Sequence, residues 1–181
     1  MSKTKNKMIV CRVERCLGCR SCEMACAVVH SASKDLLAAV LEHPKPQKRV
    51  TVEAVGGHGL PLQCRHCEDA PCIMICPTEA MHRASESGPV LIDQDRCIGC
   101  KLCMMVCPFG VIGLRSDGKG VIKCDACIER TRAGEEPACV SACPTHALKF
   151  VSVEELTKAV RRVAAGRAAE SLAKAGDEAE K

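Results

Sequence analysis

Sixteen of the 17 cysteines in this chain of 181 residues fall into four regularly spaced groups, and no other feature constrains the fold as strongly. The first and third groups share the spacing C-x2-C-x2-C-x3-C, whereas the second has a four-residue middle gap and the fourth an eleven-residue one. These groups, the first to fourth quartets, are Cys16, Cys19, Cys22 and Cys26; Cys64, Cys67, Cys72 and Cys76; Cys97, Cys100, Cys103 and Cys107; and Cys124, Cys127, Cys139 and Cys143. Cys11 stands outside them.

The spacing of the third quartet, with Pro108 directly after its last cysteine, is typical of a [4Fe-4S] cluster site. The first three thiolates of such a run bind one cluster and the fourth points to a second one, so clusters come in pairs. Sixteen thiolates are the number that four clusters need. A structural zinc adaptor is the alternative of another class, but zinc sites usually use separated C-x2-C pairs. The spacing therefore favours four [4Fe-4S] clusters.

The composition fits a core built around clusters. The chain has no Trp or Tyr, and its only Phe residues are Phe109 and Phe150, so the rings that dominate many cores are nearly absent. The formal charge of +4 would fall to about −4 if each of four clusters carried about two negative charges. This charge, together with the lack of aromatic residues for base stacking, argues against nucleic acid as a partner.

The cysteine content and the first residues indicate a reducing compartment. A disulfide framework would need an oxidising one, and residues 1–10 are Lys-rich, without the apolar run of a signal peptide. No stretch reaches the length of a membrane span. We therefore expect a soluble, cytoplasmic protein, with export as a folded complex with a signal-bearing partner left open.

The spacing between quartets predicts how they pair. Twenty residues separate Cys76 from Cys97, as in a compact two-cluster ferredoxin, so the second and third quartets should form one unit. By elimination, the first and fourth quartets form the other. We predict an α+β fold with two ferredoxin-like two-cluster units in a pseudo-twofold arrangement. The predicted parts are residues 8–33 and 116–151 for the first unit, 34–59 for an insertion that suits partner contact, 60–115 for the second unit, and 152–181 for a C-terminal helix and tail.

Local patterns predict the elements around the quartets. Strands are expected at residues 8–13, 49–55, 90–93 and 148–151, with a glycine loop at Gly56, Gly57 and Gly59. Ala27 follows the first quartet, where the other three have proline, so the helix over residues 23–30 should continue past Cys26.

The C-terminal segment is predicted to be a helix. Ser152 and Glu155 have capping-box spacing, and Val153, Leu156, Val160 and Val163 form an apolar stripe to about residue 164. This pattern favours a helix packed against the domain, with a helix that docks another subunit as the alternative. Beyond residue 173 the composition indicates a frayed tail.

Other chemistry-bearing residues have simpler interpretations. Cys11 is expected to be a small buried residue on a strand. His66 is expected to donate a hydrogen bond or to lie at the surface, and the other histidines, His30 among them, form no metal-spaced set. Four basic residues near the cysteine loops would favour the reduced, more negative clusters; they are Arg65, Arg96, Lys101 and Lys123.

Three segments beyond the cysteine spacing carry a resemblance. They are Cys22–Cys26 with His30, Ser31 and Lys34–Leu36; Leu60–Cys72; and Cys107–Gly110. With the four quartets, they make roughly residues 8–151 resemble the four-cluster iron-sulfur subunits of bacterial and archaeal oxidoreductases. This family includes the electron-transfer subunits of formate dehydrogenases, hydrogenases and dimethyl sulfoxide reductase. The chain looks most like the ferredoxin-type subunit associated with carbon monoxide dehydrogenase.

The resemblance implies four crossed ligand sets, each with three cysteines of one quartet and the last cysteine of another. These sets are Cys16, Cys19, Cys22 and Cys143; Cys124, Cys127, Cys139 and Cys26; Cys64, Cys67, Cys72 and Cys107; and Cys97, Cys100, Cys103 and Cys76. The protein would supply every ligand, so no iron is open to substrate and the chain should not be an enzyme by itself.

Four one-electron carriers in one small chain indicate a relay. The expected function is electron transfer between a carbon monoxide dehydrogenase and a hydrogenase or flavoprotein acceptor. A formate dehydrogenase or hydrogenase as the catalytic redox subunit is the alternative.

Overall fold

The computed structural model describes residues 7–179, with side chains described to residue 172. Within this range, short helices alternate with small antiparallel sheets, which confirms the predicted α+β class. The last two residues of the predicted tail lie outside the described residues. None of the described helices combines the length and the apolar character that a membrane crossing requires.

The described strands pair into four two-stranded antiparallel sheets. The pairs are β1 (Lys7–Cys11) with β8 (Leu148–Ser152), β2 (Thr51–Val55) with β3 (His58–Leu62), β4 (Met81–Arg83) with β5 (Val90–Ile92), and β6 (Gly113–Leu114) with β7 (Val121–Ile122). The four predicted strands are confirmed, with ends shifted by a few residues. The predicted glycine loop is wrong for Gly59, which lies in β3. A Cβ there would come within 2.7 Å of Gly18 Cα, so glycine is needed for close packing and not for a turn.

Four helices end near the last cysteine of a quartet. They are α1 (Ser21–Val29), α3 (Pro71–Met74), α4 (Leu102–Val106) and α6 (Ala138–Ser141). α1 has nine residues, against four or five in the others, and this confirms the effect expected of Ala27. Proline removes a backbone donor and clashes with the preceding turn, so it stops the other three helices early.

Buried residues within the described range form two apolar clusters. The first contains cysteines of the first and fourth quartets together with Ile9, Val140 and Leu148. The second contains cysteines of the second and third quartets together with Met81, Val90 and Val121. Aliphatic side chains and sulfur atoms therefore fill the interior that aromatic rings usually occupy.

The segment 34–59 is attached to α1 through a buried carboxylate. Glu23 of α1 accepts a hydrogen bond from the Val52 amide at 2.6 Å and pairs with Lys48 at 2.7 Å. Val50 and Val52 belong to the first apolar cluster. In contrast, the short helix α2 (Leu36–Leu41) exposes most of its apolar side chains. The β2–β3 hairpin crosses the predicted boundary between residues 59 and 60.

The C-terminal helix α7 (Val153–Ala179) differs from its prediction in two ways. It continues to Ala179, although a frayed tail was expected beyond residue 173, and its apolar stripe is mostly exposed, with Val160 at 60% and Val163 at 55%. The predicted packing against the domain is therefore wrong for the described side chains. The expected capping box does form, since Glu155 N donates to Ser152 Oγ at 3.1 Å and Ser152 N to Glu155 Oε2 at 2.9 Å. Local capping and i,i+4 pairs such as Glu154–Lys158 stabilise this helix without tertiary burial.

α5 (Ile128–Arg132) lies between the second and third cysteines of the fourth quartet. It occupies part of the long gap in that quartet.

Candidate functional site

The seventeen cysteines, all within the described part of the chain, are free thiols. In each quartet the first two cysteines lie on a loop before a helix, and the last lies within the helix or just after it. Gly18 and Gly99 sit inside the two C-x2-C loops of the first and third quartets, with φ of +66° and +67°. Glycine adopts this left-handed conformation without steric cost, so it lets each loop turn tightly around its cysteines.

Two cavities are each lined by four cysteines from two different quartets. One is bordered by Cys16, Cys19, Cys22 and Cys143. The other is bordered by Cys97, Cys100, Cys103 and Cys76. In both, three cysteines come from a C-x2-C-x2-C run and the fourth is the last cysteine of another quartet. These are two of the four crossed sets that the family resemblance implies.

The first three cysteines of the fourth quartet and Cys26 affect one another's pKa values. Burial raises the pKa of Cys139 well above its usual range, and the nearby Cys127 and Cys26 side chains raise it further. Burial likewise raises the pKa of Cys124, to which Cys139 and Cys26 contribute. The structure thus brings Cys26 of the first quartet to the three leading cysteines of the fourth.

In the set of Cys64, Cys67, Cys72 and Cys107, the surroundings of Cys72 show which cysteines lie close to it. Burial raises the pKa of Cys72, Lys123 lowers it, and the Cys64 and Cys107 thiolates raise it. Cys67 lies on the same loop, three residues after Cys64, and its carbonyl accepts a hydrogen bond from Arg83 Nη2 at 2.5 Å.

Cysteines of different quartets also approach one another. Cys72 raises the pKa of Cys103, and Cys22 raises that of Cys139, so sulfur atoms of neighbouring sets lie close together. For Cys103, burial is the largest cause, and the pKa reaches about 11. Such thiols are protonated at neutral pH, and a bound metal would convert them to thiolates with release of protons.

The donor set fits an iron-sulfur cluster. Each set offers four soft sulfur donors, which suit iron-sulfur clusters or zinc better than hard cations. Several backbone amides point at these sulfur atoms, including Arg49 N to Cys26 Sγ at 3.1 Å, Ala126 N to Cys124 Sγ at 3.4 Å and Met81 N to Cys76 Sγ at 3.5 Å. Hydrogen bonds to sulfur stabilise the more negative state of a bound cluster.

A side-chain network that the sequence did not reveal surrounds the Cys26 site. Asp125 accepts from Arg49 Nη1 at 2.5 Å, from His30 Nε2 at 3.2 Å and from the Cys127 amide at 2.9 Å. His30 Nδ1 lies 2.7 Å from the Cys26 carbonyl oxygen. We call His30, Arg49 and Asp125 the clasp, because these residues join α1, the segment 34–59 and the fourth-quartet loop.

Electrostatics support the charged form of the clasp. Burial alone would raise the pKa of Asp125, but the His30 hydrogen bond and the Arg49 charge hold it well below its usual range. Burial would lower the pKa of His30, but hydrogen bonds to Asp125 and Cys26 raise it to about 9. The ring of His30, Asp125 and Cys127 offer ligand atoms within 4.8 Å of one another, but the ring is engaged in the ion pair with Asp125, so the expectation that the histidines form no metal-spaced set stays a prediction for His30. Its i,i+4 spacing from Cys26 was the available signal.

The remaining candidates have separate environments. His66 is mostly buried, and its Nδ1 accepts from the Val90 amide at 3.1 Å. Cys11 lies on β1 as expected, and burial raises its pKa to about 11. Among the four basic residues, Lys123 is buried, Lys101 is exposed, Arg96 pairs with Asp93, and Arg65 lies over the Phe109 ring at 5.9 Å.

Cysteine sets of this spacing and arrangement define an iron-sulfur protein of the ferredoxin type. A family model described as a 4Fe-4S dicluster domain matches residues 57–153, and one described as a 4Fe-4S binding domain matches residues 13–29. The chain belongs to the 4Fe-4S dicluster family of ferredoxin-type electron-transfer subunits.

Relatives of known name cover nearly the whole chain. An iron-sulfur protein of Rhodospirillum rubrum is 43% identical over 92% of this chain and 93% of its own length. The putative electron transport protein YsaA of Escherichia coli is 41% identical over 84% of this chain and 94% of its own. The thiosulfate reductase electron transfer subunit PhsB of Salmonella typhi is 37% identical over 86% of this chain and 81% of its own.

Proposed function

We propose that this chain relays single electrons through four [4Fe-4S] clusters, as a non-catalytic subunit between a carbon monoxide dehydrogenase and a hydrogenase or flavoprotein acceptor. The observation that carries the proposal is the pair of cavities that are each lined by four cysteines of two quartets. The sixteen quartet cysteines would bind the clusters in the four crossed sets. Each cluster supplies one-electron chemistry when bound, while the chain fixes its position and surroundings.

Equivalent contacts in the two halves support the pseudo-twofold arrangement. Cys11 pairs with Leu148 between β1 and β8, and Ile92 pairs with Met81 between β5 and β4. Cys11 and Ile92 each stand five residues before a C-x2-C-x2-C run, and Leu148 and Met81 each stand five residues after a quartet. Such a match would be a coincidence in a chain without internal symmetry.

The exposure of the cysteines supports an order for the relay. Cys19 and Cys100 are exposed, and each belongs to a cavity-lining set, so these two sets suit electron entry and exit. Cys26, Cys124, Cys127 and Cys139 are buried. Cys64 belongs to the second quartet but packs against the first apolar cluster, which suits a site at the junction of the halves. We therefore propose that the sets of Cys124 and Cys64 form the inner steps and the other two the outer ones.

The surface around the outer sites suits contact with redox partners. Leu17 and Ile98 occupy equivalent positions in the two outer loops and are 72% and 65% exposed. Apolar side chains next to a cluster allow a partner to approach closely and exclude water. The similarity to the electron transfer subunit of a thiosulfate reductase supports a place in an oxidoreductase complex.

The carbon monoxide dehydrogenase partner is proposed from the three resemblance segments, such as Leu60–Cys72. Formate dehydrogenase or hydrogenase as the catalytic subunit is the alternative. Anaerobic affinity purification of the tagged chain from its native host tests this choice. Co-purified carbon monoxide dehydrogenase that reduces the chain in the presence of carbon monoxide is the expected result. A co-purified formate dehydrogenase or hydrogenase that reduces the chain instead would favour the alternative.

Metal content separates the relay from the zinc adaptor. We expect about sixteen irons and about sixteen sulfides per chain after anaerobic purification, and EPR signals after reduction with dithionite. Stoichiometric zinc in a colourless, folded protein would exclude the relay. We also propose a cytoplasmic location, which cell fractionation tests.

A further inference from the structure

Lys123 is a buried cation at the junction of the two halves. It directly precedes the first cysteine of the fourth quartet and is only 3% exposed. Its Nζ donates to the carbonyl oxygens of Val90 and, at 2.9 Å, of Cys124. No carboxylate pairs with it among the described side chains. A buried ammonium with only neutral acceptors is costly, so its surroundings call for an anion.

The charge of Lys123 acts on the second-quartet site. Its Nζ donates to the Val90 carbonyl oxygen, and Val90 packs with Cys72 in the second apolar cluster, so the ammonium group lies near that site. His66, on the loop between Cys64 and Cys67, does not share this charge. The Val90 amide donates to its Nδ1 at 3.1 Å, so that nitrogen acts as an acceptor and carries no proton. Lys123 therefore supplies a positive charge to this site from the other half of the molecule.

Gln63 occupies the equivalent position in the other half. It directly precedes the second quartet, is 2% exposed, and donates from Nε2 to the Ile9 carbonyl oxygen at 3.3 Å. Ile9 and Val90 each stand seven residues before a C-x2-C-x2-C run, so both contacts join one half to the same place in the other. The contacts are equivalent, but one donor is charged and the other is neutral.

The site bound by the fourth quartet has a different environment. Asp125 adds a carboxylate next to Cys124 and Cys127, although Arg49 and His30 pair with it. A cluster gains one negative charge when it takes up an electron, and a nearby cation in a low-dielectric interior stabilises that state. Because Asp125 is paired with both Arg49 and His30, its carboxylate does not make the fourth-quartet site negative; the difference is that Lys123 has no paired carboxylate among the described side chains.

We propose that Lys123 is a fixed positive charge that raises the reduction potential of the cluster bound by Cys64, Cys67, Cys72 and Cys107. This inference rests on the proposed function, because it needs clusters at both inner sites. In the relay, this cluster would take up one electron from the neighbouring cluster of the Cys124 site and pass it on.

The test is an anaerobic redox titration, followed by EPR, of the full chain loaded with clusters. Lys123→Met removes the charge and keeps the length of the side chain. We expect the reduced-to-oxidised ratio of one cluster to fall at least tenfold at fixed ambient potential, which is 59 mV for one electron. Lys123→Arg keeps the charge and should leave this ratio within threefold of the parent. Lys158→Met, on the exposed helix α7, is the control for removal of a surface charge.

Assignment of the affected signal uses a ligand variant. The signal that shifts in Lys123→Met should be the one that Cys107→Ser alters, because Cys107 belongs to the same proposed set. If the reduced-to-oxidised ratios of all four clusters in an iron-loaded Lys123→Met protein stay within threefold of the parent values, the inference is overturned. If Lys123→Met loses clusters, retention of about sixteen irons by Lys123→Arg supports a required charge. Equal loss in both variants overturns it. A parent protein without iron would instead overturn the proposed function.

Discussion

The two halves of the molecule meet the same task with different chain connections. The half built from the second and third quartets is local, since both quartets lie within residues 64–107. The half built from the first and fourth quartets joins residues near the start of the chain to residues 124–143. It also has the longer sheet, with five residue pairs between β1 and β8 against three between β4 and β5.

This difference explains where the additional interactions lie. Closing a long chain loop costs more entropy than closing a short one, so the non-local half needs more contacts to hold its sites together. The clasp and the β1–β8 sheet provide them. The local half closes through a short connection and has no counterpart of the clasp among the described residues. Cysteine sites with similar spacing therefore need different numbers of contacts, depending on how far apart their parts lie in the chain.

Removal of a cysteine that joins two quartets should have the largest effect on iron content. Cys26→Ala removes a buried sulfur that joins the first and fourth quartets, and we expect loss of about four of about sixteen irons. Cys11→Ala is the matched control, because it removes a cysteine outside the quartets and should keep all irons. Anaerobic iron analysis of both variants provides the measurement. Equal iron loss in the two variants would contradict the assignment.

Disruption of the clasp should destabilise the non-local half. Asp125→Asn leaves the partly buried Arg49 and His30 charges without their carboxylate, at a cost of about 3 kcal/mol. Asp117→Asn breaks the more exposed Arg115–Asp117 pair, which should contribute less than about 1 kcal/mol. The rate of cluster loss in guanidinium under anaerobic conditions compares the stability of the two variants. Similar rates for the two variants would mean that the clasp adds no support.

The equivalent glycines Gly18 and Gly99 should tolerate alanine unequally. Both have positive φ, so alanine costs about 1 kcal/mol at either position from backbone strain. A Cβ on Gly99 would also lie 2.5 Å from the Lys119 carbonyl oxygen, whereas the nearest atom for Gly18 is at 3.9 Å. We expect Gly99→Ala to cost about 2 kcal/mol in the same assay because of this overlap. A larger loss for Gly18→Ala would contradict the geometry.

Truncation of the C-terminal helix should have the smallest effect. The described side chains of α7 are mostly exposed, so ending the chain after Arg162 should change cluster stability by less than about 0.5 kcal/mol. Iron content and the rate of cluster loss test this expectation. A truncated chain that loses the sites of the first and fourth quartets would show that α7 supports that half.

The sequence predicted those features that depend on local chemistry. Cysteine spacing fixed the kind of site, because three thiolates in a C-x2-C-x2-C run suit one cluster regardless of distant contacts. Ala27 predicted the longer helix, because proline acts on the turn that it occupies. The Ser152–Glu155 capping box formed for the same reason, since its partners lie three residues apart.

For features that depend on distant residues, the predictions were missing or wrong. The clasp joins residues 30, 49 and 125, and no single sequence window contains them. The burial of Lys123 and of Gln63 depends on carbonyl groups in the opposite half, so their partners were not predictable. The apolar stripe of α7 suggested burial, but helical spacing alone does not supply a surface for the helix to pack on.

Mössbauer spectroscopy of the anaerobically purified, isotope-enriched protein tests the central claim most directly, because it counts iron by chemical type. Four crossed cysteine sets predict that all of about sixteen irons belong to [4Fe-4S] clusters. A Cys143→Ala variant should lose about four irons, because Cys143 completes the site of Cys16, Cys19 and Cys22. A folded parent chain with mononuclear iron, or with zinc in place of iron, would contradict the account.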